Sequence, residues 1–495
     1  MAQLKNFIGG KKKASKSGRL LKDTNPADTR QVLASFPDSD ARDVDAAVRA
    51  AAAAYESWHL VPPPKRGDIL FRAGLLFEKE KKSLARLMTR EMGKVLKEAE
   101  GDVQEAVDMA FYMAGEGRRL FGKTTTSELK NKFVMSVRQP LGVCGLITPW
   151  NFPVAIPSWK SFPALLCGNT VVLKPAEDTP ATAIRFAEIL TEAGLPDGVL
   201  NVVLGGPETG AALVRHPDVR LISFTGSSET GRKIAAECGR TLKRCSLELG
   251  GKNAQIVMDD ADVDLALEGA LWGAFGTAGQ RCTATSRIYV QKKVYESFKR
   301  KMVAGARRMR LGDGMDPRVQ VGPLVNADQL ERVTDYVKLG EREGAKIECG
   351  GGPAKGPGLS HGYFFQPTVF TGVKPSMRIM KEEIFGPVVC IMPVSDLEDA
   401  LKQINDTAYG LSSSIYTRDV NAAMKAIRDI EAGITYINGP TIGAEVHMPF
   451  GGVKDTGNGH REAGEHGLDI FSEWKSVYID YSGKLQKAQI DTEPS

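Results

Sequence analysis

Three short apolar runs, each followed by a segment with helical spacing, constrain this chain more than any other feature. Residues 170–173 precede a helical pattern at 179–193, residues 199–204 precede 209–215, and residues 221–224 precede 228–238. Strands separated by a helix are joined by crossovers, and crossovers build a parallel sheet with helices on its faces. A second series begins near residue 250. It is helical at 263–278, apolar at 288–290, and helical at 294–309 and 328–343. Residues 388–392, 399–404 and 413–416 continue the alternation. Upstream, residues 43–58, 66–94 and 101–115 read as helices. In the second of these, Ile69, Leu70, Ala73, Leu76 and Phe77 recur at three- and four-residue intervals. The expectation is an α/β protein with two units, and 495 residues is enough for two or more domains. Residues 349–362, rich in Gly and Pro, are expected to form a surface loop.

Composition removes several function classes. The net charge of +5 is small, and much of it sits in Lys11-Lys12-Lys13, Lys16 and Arg19. That run has no aromatic interleaving and no reader motif, so no nucleic-acid partner is expected. Residues 1–10 lack a signal-peptide core. The most apolar region, residues 141–159, is broken by prolines and Asn151, so no membrane span is expected. Seven cysteines without Cys-x-x-Cys spacing fit free thiols in a reducing cytoplasm, with neither a disulfide framework nor a metal site.

The chemistry concentrates in Phe275-Gly276-Thr277-Ala278-Gly279-Gln280-Arg281-Cys282-Thr283. Here one cysteine sits in a small-residue turn, expected to be flexible, between a helical segment and an apolar run. Glycines let a substrate carbonyl and a cofactor approach the sulfur. Glu248, flanked by Leu247 and Leu249, is a lone acid in apolar surroundings, which raises a carboxyl pKa and suits a general base. The turn Phe224-Thr225-Gly226-Ser227 closes a strand and opens a helix. Its backbone N–H groups can meet a pyrophosphate, with the Ser227 hydroxyl as a further donor; the same pattern also suits a plain N-cap.

These segments resemble the signatures of the aldehyde dehydrogenase superfamily. The likeness runs from Asn25-Pro26 to about Val477, with Pro149-Trp150-Asn151-Phe152-Pro153, Lys174-Pro175-Ala176-Glu177, Phe224-Thr225-Gly226-Ser227, Glu382-Glu383-Ile384-Phe385-Gly386-Pro387 and Pro449-Phe450-Gly451-Gly452 in order. The resemblance implies a Rossmann-like cofactor domain (residues 1–123 and 143–250), an α/β catalytic domain (251–455) and a β oligomerisation arm (124–142 and 473–489), hence a homodimer or homotetramer. It implies Cys282 as nucleophile, Asn151 with the Cys282 N–H as oxyanion donors, Glu248 as the base that activates water, and Lys160 as a possible proton relay. Lys174 and Glu177 would hold the adenosine ribose. Thr225, Gly226, Ser227 and Trp150 would also contact the cofactor, Glu383 would hold the nicotinamide ribose, and Phe385 would pack near the nicotinamide. A carboxylate such as Glu177 accepts ribose hydroxyls and repels a 2′-phosphate, which favours NAD, with NADP possible.

The substrate is less defined. Residues 438–445 resemble the anchor loop of antiquitin-type amino-semialdehyde dehydrogenases, where backbone amides, here at Ile442, Gly443 and Ala444, would grip a distal carboxylate. Arg281 could add a charge-assisted bond. Residues 149–157 and 283–287 look more like bacterial 2-oxoglutarate semialdehyde dehydrogenases. Both groups take a small-molecule aldehyde with a distal carboxylate. The rivals are a CoA-acylating dehydrogenase, which need not activate water, and a non-enzymatic scaffold, which need not keep Cys282, Asn151 and Glu248. A cysteine hydrolase would need a histidine base, and none of the six histidines has a supporting motif.

Overall fold

The computed structural model describes residues 2–490; Met1, at the edge of the expected cofactor domain, lies outside the described residues. One seven-stranded sheet runs in the order Arg244–Glu248, Val219–Thr225, Val143–Ile147, Thr170–Lys174, Leu200–Val202, Asn6–Ile8, Lys11–Lys13. The first five are parallel and the last two antiparallel. The chain steps from Val143–Ile147 outward to Leu200–Val202 on one side. It then returns to place Val219–Thr225 and Arg244–Glu248 on the other. Ligands of such sheets bind where the order reverses, beyond the carboxyl ends of the central strands. Here those ends are Ile147 and Thr225. Val143–Ile147 and Thr170–Lys174 are buried throughout, which is why they read as unbroken apolar runs.

The second seven-stranded sheet runs Lys346–Cys349, Thr368–Thr371, Val388–Val394, Arg287–Gln291, Ala254–Val257, Ser412–Tyr416, Ile434–Ile437. It is parallel except at the edge strand Lys346–Cys349. A three-stranded antiparallel sheet joins Lys123–Thr126, Lys132–Pro140 and Ser472–Asp480, the last two in register from Pro140 against Ser472 to Lys132 against Asp480. Residues 481–489 add no strand to it. Phe133, Trp474, Tyr478 and Ile479 of this arm are exposed.

Two differences from the sequence reading have local causes. Residues 2–37 contribute five strands that no alternation announced. They are two to six residues long, and one of them is Lys11–Lys13. The helix expected at 263–278 ends at Phe275. A 3-10 turn, Gly276–Gly279, follows, with Thr277 and Ala278 both at φ 53°. Left-handed backbone is costly for non-glycine residues, so tertiary contacts must impose it. Among the described residues no helix is long and apolar enough to cross a membrane, and no group of three or more His, Cys, Asp or Glu is arranged to hold a metal ion.

Candidate active site

The turn that carries Cys282 is tied down by hydrogen bonds where the sequence suggested flexibility. Glu98, in the helix Leu96–Glu116, accepts the Thr277 N–H with both carboxylate oxygens at 3.0 Å and the Thr277 hydroxyl at 3.2 Å. The same carboxylate pairs with Arg281 at 3.2 Å, and Arg281 Nε donates to Thr277 Oγ1 at 3.0 Å. These bonds hold the two left-handed residues in place. Gln280, buried, donates to the Thr277 and Pro323 carbonyls and accepts the Val325 N–H. Gly279 (φ 70°) is there for packing, because a Cβ would strike the Gly386 carbonyl; it does not open the sulfur to substrate. Asn253 Nδ2 donates to the Cys282 carbonyl at 2.7 Å and to the Ala284 carbonyl at 3.0 Å, fixing the residues that follow. Burial, then the carboxylates of Glu383 and Glu248, push the Cys282 thiol up to about 12; the backbone N–H groups of Thr283 and Cys282 pull the other way.

Glu248 ends the strand Arg244–Glu248, buried, with no hydrogen-bond partner on either carboxylate oxygen. Burial, then the Glu462 carboxylate, hold its carboxyl well above the ordinary range, and Lys160 and Arg461 oppose them. Gly451 makes room for it, since a Cβ there would lie 2.8 Å from Glu248 Oε1. Lys160 is fully buried and bridges Ser223 Oγ (2.9 Å) and the Glu462 carboxylate. The base therefore faces a buried acid–lysine pair. An unpaired buried carboxylate is costly unless it titrates, and a carboxyl in that position is a candidate general base.

Asn151 lies in the loop between Ile147 and the helix Ala155–Cys167. Its Nδ2 donates to the Gln280 carbonyl at 3.0 Å, so it sits against the nucleophile turn, and its Oδ1 is buried without a partner. Asp102 fixes this loop by accepting the Ala155 N–H at 2.7 Å while pairing with Lys94 at 2.9 Å, both side chains fully buried. The Lys94 ammonium lies 4.0 Å from the centre of the Phe152 ring.

At the reversal point of the first sheet, Thr148 and Thr225 carry buried hydroxyls without partners. Ser227 caps the helix Ser228–Arg240, accepting the Thr230 N–H at 3.3 Å and donating to Thr230 Oγ1 at 3.0 Å. Its hydroxyl is thus already engaged, and the free donors at this helix start are backbone N–H groups. Lys174 and Glu177 pair at 3.3 Å, and Gly206 leaves Glu177 open, since a Cβ there would stand 3.5 Å from Glu177 Oε1. Glu383 accepts the Gly251 N–H at 2.9 Å. Phe385, left-handed at φ 61°, is fixed by Gln329 Nε2 on its carbonyl at 2.6 Å and meets the Trp150 ring edge-on at 5.6 Å. Unpaired hydroxyls, a helix N-terminus and a paired Lys–Glu are groups that fit a dinucleotide.

One cavity of about 960 Å³ is lined by Thr225, Glu248, Cys282, Arg281, Gly443, Ala444 and Glu462. Among the described residues no hydrogen bond engages the N–H groups of Gly443 (φ 112°) and Ala444. Ile442 packs into the interior and does not reach the cavity. Arg281 reaches it already paired with Glu98. The lining also holds Glu98, Glu100, Asp102, Glu105, Glu268 and Asp316 against Lys97 and Arg281, and burial pushes the Glu105 carboxyl up to about 8. The sequence reading missed Glu98, Lys94, Asp102, Gln280 and Glu462. One signal was available: Glu98, Asp102 and Glu105 recur at i, i+4 and i+7 and so share a helix face.

Comparison with known proteins agrees with this geometry. The model of the aldehyde dehydrogenase family matches residues 13–477. The chain is 42% identical over 479 residues to the α-ketoglutarate semialdehyde dehydrogenase of Haloferax volcanii, covering 96% of this chain and 99% of that one. It is 40% identical to the α-ketoglutaric semialdehyde dehydrogenase of Bacillus subtilis, covering 96% and 97%. A solved structure of Staphylococcus aureus betaine aldehyde dehydrogenase in complex with NAD+ superposes with a TM-score of 0.95 at 33% identity, covering 97% of this chain and 95% of that one.

Proposed function

The chain belongs to the aldehyde dehydrogenase family, and on that premise we propose that it oxidises a carboxylate-bearing semialdehyde to the acid with NAD. The observation that carries the reading is the shared cavity. Cys282 and a partnerless Glu248 line it, together with Gly443 and Ala444. When bound, the nicotinamide dinucleotide supplies the hydride acceptor. Lys174, Glu177, Thr225, Gly226, Ser227, Glu383, Phe385 and Trp150 would hold it, with Glu177 favouring an unphosphorylated ribose.

The chain's own groups do the rest. The Cys282 thiol gives up its proton to solvent, and the thiolate adds to the aldehyde carbon. Asn151 Nδ2 and the Cys282 N–H donate to the oxygen that becomes negative; one such donor is typically worth a hundredfold or more in rate. After oxidation the acyl group rests on sulfur as a thioester. Glu248 takes a proton from water, the hydroxide attacks the thioester, and the thiolate leaves. The Lys160–Glu462 pair offers that proton a route away from the base. A thioester released to CoA would need no base at Glu248. No histidine lines the cavity to serve a cysteine hydrolase.

We further assign residues 1–123 and 143–250 to the cofactor domain, 251–455 to the catalytic domain, and 124–142 with 473–489 to an arm that joins copies of the chain. Its exposed aromatics support that last assignment. Seven free thiols support a cytoplasmic home.

A second reading, an aldehyde with a cationic tail, is favoured by one observation: the acidic residues that line the cavity outnumber its basic ones. Steady-state kinetics with an ω-carboxylate aldehyde, an ω-ammonium aldehyde and a neutral one, each with NAD and NADP, separate the readings. The highest kcat/KM with the carboxylate aldehyde and NAD is expected. Preference for the ammonium aldehyde overturns the first reading.

A further inference from the structure

Three serines stand in a row in the strand Ser412–Tyr416, all buried, in a strand paired on both sides where apolar residues are the rule. Ser413 turns toward the edge strand Ile434–Ile437, with its hydroxyl on the Ile434 carbonyl at 3.0 Å. Ser412 and Ser414 share the other face, and they hold the loop that follows that edge strand. Ser414 Oγ donates to the Gly439 carbonyl, and Ser412 Oγ donates to the Thr441 carbonyl at 2.6 Å. The loop therefore runs back along the strand and brings Thr441, fully buried, to the strand's start. There the Thr441 hydroxyl donates to the Thr283 carbonyl at 2.7 Å. With that proton committed, Thr285 is the donor in the 2.9 Å contact between the Thr285 and Thr441 hydroxyls.

The residues after the nucleophile are held at the same spot. The Ser412 N–H donates to Asn253 Oδ1 at 3.0 Å, and Asn253 Nδ2 donates to the carbonyls of Cys282 and Ala284. The consecutive carbonyls of Cys282, Thr283 and Ala284 are thus held by two side chains, Asn253 and Thr441, and Ser412 bonds to both residues. Beyond Thr441 the loop leaves the interior. Ile442 is still buried, but Gly443 is exposed, and a Cβ there would meet nothing within 4 Å. Ala444 lines the cavity and packs against the apolar cluster that includes Leu146 and Leu173. Thr441 is therefore the last residue of this loop with a hydrogen bond to the Cys282 segment before the loop reaches the cavity.

We propose that Thr441 is a positioning residue whose hydroxyl fixes the loop of Gly443 and Ala444 at one distance from Cys282, and so sets the aldehyde chain length that the site prefers. The proposal rests on the reading of Gly443 and Ala444 as the seat of the substrate's far end. The aldehyde carbon must reach the sulfur while the tail rests on the loop, so the gap between the two acts as a ruler. A misplacement of ~1 Å can cost on the order of a hundredfold in rate, and one methylene more or less is worth roughly ten- to two-hundredfold. The bond from Thr441 to Thr283, the residue next to Cys282, ties the two ends of that ruler together. A short neutral aldehyde reaches the sulfur without resting on the loop and does not sense the gap.

The test is a chain-length profile of kcat/KM with NAD, taken one methylene at a time in a series of ω-carboxylate aldehydes and in a series of unsubstituted alkyl aldehydes. Thr441→Val keeps the shape of the side chain and removes its hydroxyl. It should lower kcat/KM about tenfold at the wild-type optimum of the ω-carboxylate series, bring the neighbours one methylene away to within about twofold of that optimum, and leave propanal within about twofold of wild type. Thr441→Ser keeps the donor and should retain the wild-type profile. Ser412→Ala frees the loop's carbonyl without touching Thr283 and should flatten the profile in the same direction, so a Thr441→Val protein that folds poorly does not decide the matter. Equal losses for propanal and for the optimal substrate, or an unchanged profile in both variants, overturn the proposal. A wild-type preference for tails without a carboxylate overturns the substrate reading instead, and the length profile of the alkyl series then decides the role of Thr441.

Discussion

Replacing Glu98 by Gln separates two roles that the structure gives to one carboxylate. Glu98 holds the Thr277 N–H, which keeps the nucleophile turn in its left-handed form, and it neutralises Arg281 at 3.2 Å. Gln keeps an acceptor for the N–H but removes the negative charge. Glu98 and Arg281 side chains are each only 12% exposed, so the pair is poorly screened. A hydrogen bond between charged groups in such a place contributes about 1.5–3 kcal/mol, or roughly ten- to a hundredfold in an equilibrium constant. In Glu98→Gln, Arg281 is free to give that interaction to a substrate carboxylate. KM for an ω-carboxylate aldehyde should fall about tenfold or more, and KM for a neutral aldehyde of equal length should stay within about twofold. Glu98→Ala also loses the acceptor, and should lower kcat for both aldehydes as the turn relaxes. Steady-state kinetics on the matched pair of substrates reads the outcome. Equal changes in KM for the two aldehydes would refute Arg281 as an anchor and leave it a strut of the turn.

Glu248→Gln should keep a rapid burst of NADH matching the number of sites, then slow by about a hundredfold or more, because the thioester forms but water is no longer activated; rapid-mixing absorbance checks it, and loss of the burst would contradict it. Asn151→Ala should lower the burst rate itself by on the order of a hundredfold. With its thiol pushed up to about 12, Cys282 of the cofactor-free protein should be alkylated by iodoacetamide at a rate that climbs about tenfold per pH unit from 6 to 9 without a plateau, since higher pH supplies the reactive thiolate; mass spectrometry of the Cys282 peptide follows it. Lys94→Met should cost about 3–5 kcal/mol in denaturant-unfolding free energy by stranding the buried Asp102 charge, and should depress kcat by loosening the Asn151 loop.

What the sequence reveals here is what the chemistry repeats locally. The parallel sheet was legible because Val143–Ile147 and Thr170–Lys174 are buried on both faces and must be apolar along their whole length. Cys282 and Glu248 were legible because small or apolar neighbours surround them in the chain as well as in space. Lys11–Lys13 was not, because an edge strand needs only backbone partners, and its side chains point to solvent.

The same distinction explains which parts of the site stayed hidden. Glu98 and Asp102 look in the sequence like the solvated charges of any helix. Yet their carboxylates meet backbone N–H groups of Thr277 and Ala155, 179 and 53 residues away. Glu462 reaches Lys160 across 302 residues. No window of sequence holds both partners of such a bond, so composition and spacing carry no trace of it. The reacting groups are thus local in the chain and the groups that aim them are distant. It follows that substitutions at Glu98, Asp102 and Lys94 should act on rate through the geometry of two loops, while leaving Cys282, Glu248 and Asn151 chemically unchanged.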